Sequence, residues 1–247
     1  MQKPVIPPPD YTLAIQQARI RNVAQFRSTL THSNTIQKLQ NYAERHQHEF
    51  ETILYKAKTD DIFAEQFAID PIKQSIHEKT AAAHIKKTLP LCFNFQNLPT
   101  NALYLHQLAP LPTESNFSHS KSIDFSWDYS LGTSSLNAYA THKFTDQEGG
   151  AQENQYNDLI RFIEEASPLH TPSLGFFVLC DGPYYLRHRR LEHLRTLAIH
   201  HNPLHPVNIC TTATLPETWA ASLLLWATAT STPLPPTHID IIHSLLA

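Results

Sequence analysis

Glycine is scarce in this sequence and unevenly placed. The 247 residues contain only five glycines, and none of them precedes Gly132. Tight turns and loops use glycine for left-handed backbone conformations, so a long stretch without it favours helices joined by short polar breaks. We therefore predict a helical N-terminal region over residues 1–88, with helices in residues 11–59 and shorter ones in residues 60–83.

Cysteine is also rare, and its spacing is typical of neither a zinc site nor a disulfide framework. The chain has three cysteines, of which Cys180 and Cys210 lie in apolar runs that resemble strands. Buried, reduced thiols are the ordinary state of such residues. The sixteen histidines form no coherent set of ligands either, so we predict no zinc centre.

Long apolar runs are missing as well. The most apolar stretch, residues 219–229, is too short to span a bilayer. Residues 1–10 are rich in proline and lack the apolar segment of a signal peptide. We therefore expect a cytoplasmic protein that does not associate with membranes.

The chain has no excess of positive charge. Its formal net charge is −3 at pH 7, whereas a strongly basic chain would have favoured a nucleic-acid partner. Nucleic acid is still a compatible partner, because a local basic stripe binds phosphate on a near-neutral protein. The length is sufficient for one ordinary domain with a proper core.

A β-hairpin is predicted over residues 122–145. Apolar and polar side chains alternate in residues 122–129 and again in residues 137–145, as they do in strands with one buried face. With a turn centred on Thr133-Ser134, Asp124 lies opposite Lys143, and an acid and a lysine share one face of the sheet. The apolar face of the first strand carries Ile123, Phe125, Trp127 and Tyr129.

Further elements follow the hairpin and complete an α/β pattern. An amphipathic helix follows Gly149-Gly150, with a buried stripe predicted at Tyr156, Leu159, Ile160 and Ile163. Strands are predicted in residues 175–180 and 206–211, and helices in residues 190–201, 215–227 and 237–246. Residues 89–95 and 102–105 are weaker strand candidates. Residues 89–247 thus predict a mixed β-sheet core flanked by helices, continuous with the N-terminal region.

Within this pattern, residues 120–212 resemble the PD-(D/E)XK nuclease superfamily. The run K-F-T-x-x-x-GGAQ-x-NQ-x-x-DL-x-x-F-I, followed by FFVLCDGPYY, is similar to a group of type II restriction endonucleases in that superfamily. The resemblance covers less than half of the chain. It implies a restriction-endonuclease-like fold, Mg²⁺-dependent hydrolysis of double-stranded DNA in restriction–modification, and a homodimer, since duplex sites are commonly palindromic.

The resemblance also implies catalytic roles for particular residues. Asp124 would hold Mg²⁺, and Lys143 would orient the attacking water or stabilise charge on the phosphate. The family usually carries Glu or Asp two residues before the lysine, where this chain has Thr141. A neutral hydroxyl is a poor substitute for a carboxylate on a hard cation, so we expect Glu148 to supply the missing acid. Thr141 and the adjacent backbone carbonyl are the other groups that could complete the metal shell.

Candidate DNA contacts precede and follow the predicted apolar strand of residues 175–180 in the chain. Amide side chains that suit base edges stand at the start of the amphipathic helix, where the two glycines offer backbone N–H groups to phosphate. An arginine-rich segment follows the strand and suits phosphate contacts. The same residues also fit ordinary roles as helix caps, turn residues and a solvated helix start. They are Gly149, Gly150, Gln152, Asn154, Gln155, Arg187, Arg189 and Arg190.

Two other interpretations are compatible with the sequence. Thr141 in the position of the usual acid is compatible with a catalytically inactive DNA-binding protein that retains the nuclease fold. An unrelated α/β protein with an accidental resemblance is the third reading. Binding of DNA without cleavage would distinguish the second from the first, and neither activity would favour the third.

Overall fold

The structure is a computed structural model, and it describes residues 7–99, 102–108, 122–146 and 150–247. The chain divides into two compact units, Asp10–Thr80 and a larger one that contains Ala81–Ala247. The sequence predicts that the N-terminal helical region ends at residue 88 and that the core begins at residue 89. That domain assignment stays a prediction.

The smaller unit is helical. The elements are α1 (Tyr11–Ser28), α2 (Ser33–Arg45), α3 (Phe50–Thr59), α4 (Asp61–Glu65) and a 3-10 turn (Pro71–Gln74). Two of its α-helices, α1 and α4, begin where an aspartate accepts a backbone hydrogen bond: Oδ1 of Asp10 accepts from the N–H of Leu13 at 2.8 Å, and Oδ1 of Asp60 accepts from the N–H of Phe63 at 3.1 Å. Leu39 and Ile53 are fully buried at its centre. The predicted helices in residues 11–59 are confirmed.

The larger unit is built on a mixed sheet of five strands in the order β1-β2-β3-β4-β5. The first three strands pair antiparallel, and β3, β4 and β5 pair in parallel. The strands are β1 (Phe93–Asn97), β2 (Phe125–Leu131), β3 (Ser134–Phe144), β4 (Leu174–Asp181) and β5 (Asn208–Cys210). The predicted mixed α/β core flanked by helices is confirmed at this level.

Helices cover both faces of the sheet. One face packs on α5 (Ile76–Thr88) from Ala81 onward, α9 (Leu215–Ala229) and α10 (Pro236–Leu246). The other packs on α6 (Gly150–Ala166) and α8 (Arg190–His201), and the short α7 (Pro183–Leu186) follows β4. Because β4 is covered on both sides, its side chains are apolar in succession, with Phe176 and Val178 towards one layer and Phe177 and Leu179 towards the other.

Two expectations about the strands need correction. Residues 102–105 form an isolated bridge at Tyr104 and the start of a 3-10 turn, not a strand. Ile123 packs in the cluster beneath α6, whereas Phe125 packs in the cluster beneath α9, so the predicted shared face begins only at Phe125. Ile123 precedes β2, and its N–H donates to the carbonyl of Leu103. The strict alternation therefore starts where ladder pairing with β3 starts.

Candidate active site

The candidate site lies at one end of the sheet, where three strands place polar residues together. Asp124 immediately precedes β2, Lys143 is next to last in β3, and Asp181 ends β4. Since β2 runs antiparallel to β3, and β3 and β4 run parallel, all three positions fall at the carboxyl ends of the parallel strands. In open α/β sheets, ligands bind outside this end of the strands.

The hairpin register differs from the predicted one by two residues. Phe125 pairs with Ala140 and Leu131 with Ser134, so the turn consists of Gly132 and Thr133. Gly132 adopts a φ of 61°, a left-handed conformation that glycine takes without strain. The prediction that Asp124 faces Lys143 directly is therefore wrong.

Asp124 instead faces Thr141. Its backbone N–H donates to the carbonyl of Ala140 at 2.8 Å, the residue with which Phe125 also pairs, so the ladder is irregular at this point, as at a β-bulge. The Thr141 hydroxyl donates to Oδ2 of Asp124, so this carboxylate lies on the face of β3 that carries Thr141. Side chains along β3 alternate between the faces with a period of two. Lys143 thus still shares a face with Thr141 and Asp124, one step further along β3.

The carboxylate of Asp124 is held by two neighbours on β3. Its Oδ2 accepts the backbone N–H of His142 at 2.7 Å and the hydroxyl of Thr141 at 3.1 Å. Burial raises the pKa of Asp124, and the charge of Lys143 and these two hydrogen bonds oppose that shift. The site therefore disfavours an isolated negative charge, and a cation beside the carboxylate would offset that penalty.

Lys143 is half-buried and is paired across the parallel ladder with Cys180. The thiol of Cys180 is buried, and burial raises its pKa well above the usual value. Cys180 is thus a neutral neighbour rather than a thiolate partner for the lysine. On this face, in opposition to the effect of burial, the charge of the Lys143 ammonium group lowers the pKa of the Asp124 carboxyl.

Magnesium is the metal that the resemblance implies, and the described residues meet only its minimum requirement. Mg²⁺ in nucleotide-processing sites is held by one or two carboxylates, with water and substrate phosphate as the other ligands. Asp124 supplies one carboxylate, and Thr141 lies next to it with a hydroxyl. No group of three His, Cys, Asp or Glu side chains that could hold a metal occurs among the described residues. Glu148, the expected second ligand, lies outside them, as does Gly149.

A second polar network lies on the opposite face of β3. The ring of His142 is 3.0 Å from Asp181, measured from Nε2 to Oδ2, and both residues are buried. Asp181 also accepts the backbone N–H of Thr212 at 3.0 Å and the Thr212 hydroxyl. His84 of α5 lies near it: burial lowers the pKa of His84, and the carboxylate of Asp181 opposes this.

The order of the hydrogen bonds in this network does not suit nucleophilic catalysis by the Thr212 hydroxyl. In hydrolases with a hydroxyl nucleophile, the imidazole bonds to that hydroxyl and the carboxylate bonds to the far side of the imidazole. Here Asp181 stands in the middle, and the hydroxyl of Thr212 donates to it instead of to His142. The arrangement therefore does not activate Thr212 as a nucleophile.

Gly182 allows the chain after β4 to pass close to the backbone at the end of β3. Its φ is 98°, and a Cβ at this position would lie 2.2 Å from the carbonyl oxygen of Thr145. The N–H of Thr145 donates to the carbonyl of Asp181 at 3.0 Å. Thr145 is buried, and its hydroxyl is 2.9 Å from Oε1 of Gln155 and 3.2 Å from the hydroxyl of Tyr185.

The amide side chains of α6 fall into different environments. Gln155 contacts Thr145 rather than the pair formed by Asp124 and Lys143, so it braces the end of β3. Gln152 is half-buried, and Asn154 is exposed. Gly150 opens α6, as expected of a residue at the glycine turn. Of these amides, Asn154 is the most accessible to a large ligand.

The arginine-rich segment is a short connection between α7 and α8. Arg187 and Arg189 are exposed, and Arg189 has a left-handed backbone with its Nε 3.7 Å from Glu192. Arg190 is different, because its guanidinium lies 3.9 Å from the centre of the Tyr184 ring. Arg187 and Arg189 are therefore available to a phosphate, and Arg190 contributes to packing.

Sequence reasoning missed His142, Asp181 and Thr212 as partners. Asp181 had a usable signal, since an acid directly after the apolar run FFVLC marks the carboxyl end of a buried strand. His142 is buried. Its bond to Asp181 spans 39 positions of the chain, and no local pattern indicates it.

Comparisons with known proteins add no relative to these observations. No protein-family model matches the sequence, and neither the curated proteins nor the solved structures contain a significant match. Among the helices of the described residues, none combines the length and apolar character needed to cross a bilayer.

Proposed function

We propose that the protein is a Mg²⁺-dependent endonuclease of the restriction type that hydrolyses phosphodiester bonds in double-stranded DNA. The observation that carries the proposal is the placement of Asp124 and Lys143 on one face, at the carboxyl ends of the parallel strands. The charge of Lys143 acts on the carboxylate. An anionic ligand for a cation beside a cationic group for phosphate is the minimal pair for this reaction.

Each residue has a defined task in this proposal. Asp124 binds the cation through its carboxylate, which the N–H of His142 and the hydroxyl of Thr141 hold in place. Mg²⁺, when bound, neutralises charge on the phosphate and lowers the pKa of water. Lys143 places its ammonium group against the phosphate oxygen on which charge increases during attack.

The exposed arginines between α7 and α8 suit the DNA backbone. Arg187 and Arg189 follow β4 and Gly182 in the chain, and β4 ends at the same end of the sheet as Lys143. Phosphate contacts of this kind position a duplex without reading its sequence. A homodimer follows from the same proposal, because a palindromic duplex presents two equivalent strands to two equivalent sites.

A DNA-binding protein that has lost catalysis is the second candidate. The observation in its favour is that Thr141 already donates its hydroxyl to Asp124, so this position offers the cation no negative charge. Within the described residues, no group of three His, Cys, Asp or Glu side chains that could hold a metal occurs. Glu148 is our proposed second ligand.

Digestion of supercoiled plasmid by the purified full-length protein with Mg²⁺, with Mn²⁺ and with EDTA tests the proposal. We expect cleavage only with metal, and a loss of about 100-fold or more in Asp124→Asn and Lys143→Met. Lys86→Met, at an exposed position of α5, is the matched control and should cut like the wild type. Binding of duplex DNA in a mobility-shift assay without cleavage would favour the second candidate, and the absence of both would refute both.

A further inference from the structure

His142 belongs to two polar networks on opposite faces of β3. Its backbone N–H donates to Oδ2 of Asp124 at 2.7 Å, on the face that carries Lys143. Its ring projects to the other face, where Nε2 lies 3.0 Å from Oδ2 of Asp181. A displacement of His142 would therefore move the backbone N–H that holds the carboxylate of Asp124, the candidate metal ligand.

The carboxylate of Asp181 is bound firmly enough to act as an anchor. The residue is only 4% exposed, so water does not compete for its oxygens. Oδ1 accepts the backbone N–H of Thr212 at 3.0 Å, and Oδ2 accepts the Thr212 hydroxyl together with the contact from His142. Buried polar groups satisfied in this way are rigid, because any alternative arrangement leaves a donor or acceptor unpaired.

The anchor joins the ends of three strands. Thr212 lies just beyond β5, Asp181 ends β4, and His142 is in β3. The backbone reinforces this, since Phe144 is paired with Asp181 in the parallel ladder. The ring of Phe125 lies 6.0 Å from that of His142 and packs beside it. The network therefore fixes the position of β3 at the segment that carries Thr141 and Lys143.

We infer that the chain of Thr212, Asp181 and His142 is a positioning network for the cation site at Asp124, acting through β3 from the opposite face of the sheet. This inference rests on the proposed function. Removal of a group that orients a metal ligand from behind typically costs about 10- to 100-fold in metal affinity or activity. None of these three side chains touches the metal or the DNA in the proposed reaction.

A purely structural network makes a different prediction. If it only stabilises the fold, its loss lowers the melting temperature and leaves metal affinity and the rate of the folded protein unchanged. If it positions Asp124, its loss weakens metal binding and slows cleavage at temperatures well below unfolding. Affinity for DNA without divalent metal should change little in either case.

Two matched pairs of full-length variants separate these outcomes. Thr212→Ser keeps the hydroxyl that donates to Asp181, whereas Thr212→Val keeps the shape and removes it. His142→Gln keeps a side-chain N–H donor, whereas His142→Leu has none. The readouts are Mn²⁺ affinity by electron paramagnetic resonance, single-turnover plasmid cleavage, metal-free DNA affinity and melting temperature.

We expect Thr212→Val and His142→Leu to lose about 10- to 100-fold in Mn²⁺ affinity and in cleavage rate, the usual effect of removing a group behind a metal ligand. Thr212→Ser should match the wild type, and His142→Gln should recover part of the loss. Wild-type Mn²⁺ affinity and rate in every folded variant would overturn the inference while leaving the proposed nuclease intact. A wild type that neither binds Mn²⁺ nor cuts would refute the proposed function, and this inference with it.

Discussion

Asp124 and Thr141 face each other across the hairpin, with the Thr141 hydroxyl 3.1 Å from Oδ2 of Asp124. Thr141 occupies the position two residues before Lys143, where the resembled nucleases carry an acid. A carboxylate introduced at this position would therefore stand directly beside Asp124. A single substitution at Thr141 therefore tests whether Asp124 binds a cation.

Thr141→Glu should create a paired-carboxylate site that depends on metal. Without a divalent cation, two carboxylates on opposite strands repel each other and destabilise the fold by on the order of 1 kcal/mol. Mg²⁺ should reverse this loss and support faster cleavage than in the wild type. Thermal unfolding with Mg²⁺ and with EDTA measures the first effect, and plasmid digestion measures the second.

Thr141→Gln is the matched control, because it has nearly the size of glutamate without its charge. It should show no dependence of melting temperature on Mg²⁺ beyond that of the wild type. Equal behaviour of the two variants in both assays would contradict a cation site at Asp124.

Arg187→Ala should weaken binding to specific and random DNA by the same factor. Arg187 is exposed, so its loss removes a phosphate contact without disturbing packing, and the salt dependence of the binding constant should flatten by about one unit. Fluorescence anisotropy at several salt concentrations measures both quantities. Arg161→Ala is the control, since Arg161 is already paired with Glu165 on α6 at 2.8 Å, and it should leave the salt slope unchanged. A slope that stays constant in Arg187→Ala would exclude this residue from the interface.

Gly182→Ala should destabilise the protein severely. The new Cβ would lie 2.2 Å from the carbonyl oxygen of Thr145, and the residue already has a φ of 98°. Backbone strain together with a forced movement of the β3 end should cost about 2–4 kcal/mol. Gly132→Ala is the matched control, because its φ is also positive but nothing lies within 4 Å of the added carbon. It should cost about 1 kcal/mol. Urea denaturation compares the two, and equal losses would contradict the close approach at Gly182.

His170 should make the protein sensitive to acid. Burial, together with the nearby charge of His205, lowers the pKa of His170 from 6.5 to about 4. Between these values the unfolded chain binds a proton that the folded chain does not, so the free energy of unfolding falls as the pH decreases from 6.5 towards 4. The full effect is at most about 3–4 kcal/mol, since one pKa unit corresponds to about 1.4 kcal/mol.

Replacing His170 with glutamine removes the titrating group. The free energy of unfolding of His170→Gln, measured by urea denaturation across this pH range, should therefore decrease less steeply with acidity than that of the wild type. His243→Gln, at an exposed position of α10, should keep the wild-type slope. Parallel curves for the wild type and His170→Gln would show that His170 is not the responsible group.

Local patterns in the sequence predict most of the elements of this fold and their order. Alternation in the hairpin, the helical stripe of α6 and the apolar run of β4 are local patterns, and local backbone geometry produces them with periods of two and 3.6 residues. The shared face of Thr141 and Lys143 follows from the same alternation. The helices α9 and α10 and the burial of Cys180 and Cys210 were predictable for similar reasons.

Which residues contact one another depends on the three-dimensional fold. The turn at Gly132 and Thr133 set the hairpin register, so Asp124 faces Thr141 and not Lys143. The bonds from Asp181 to His142 and Thr212 join positions that are 39 and 31 residues apart, and they exist because β3, β4 and β5 lie side by side in parallel. Local periodicity carries no information on strand order or register, since these depend on turn geometry and on the packing of both faces against helices.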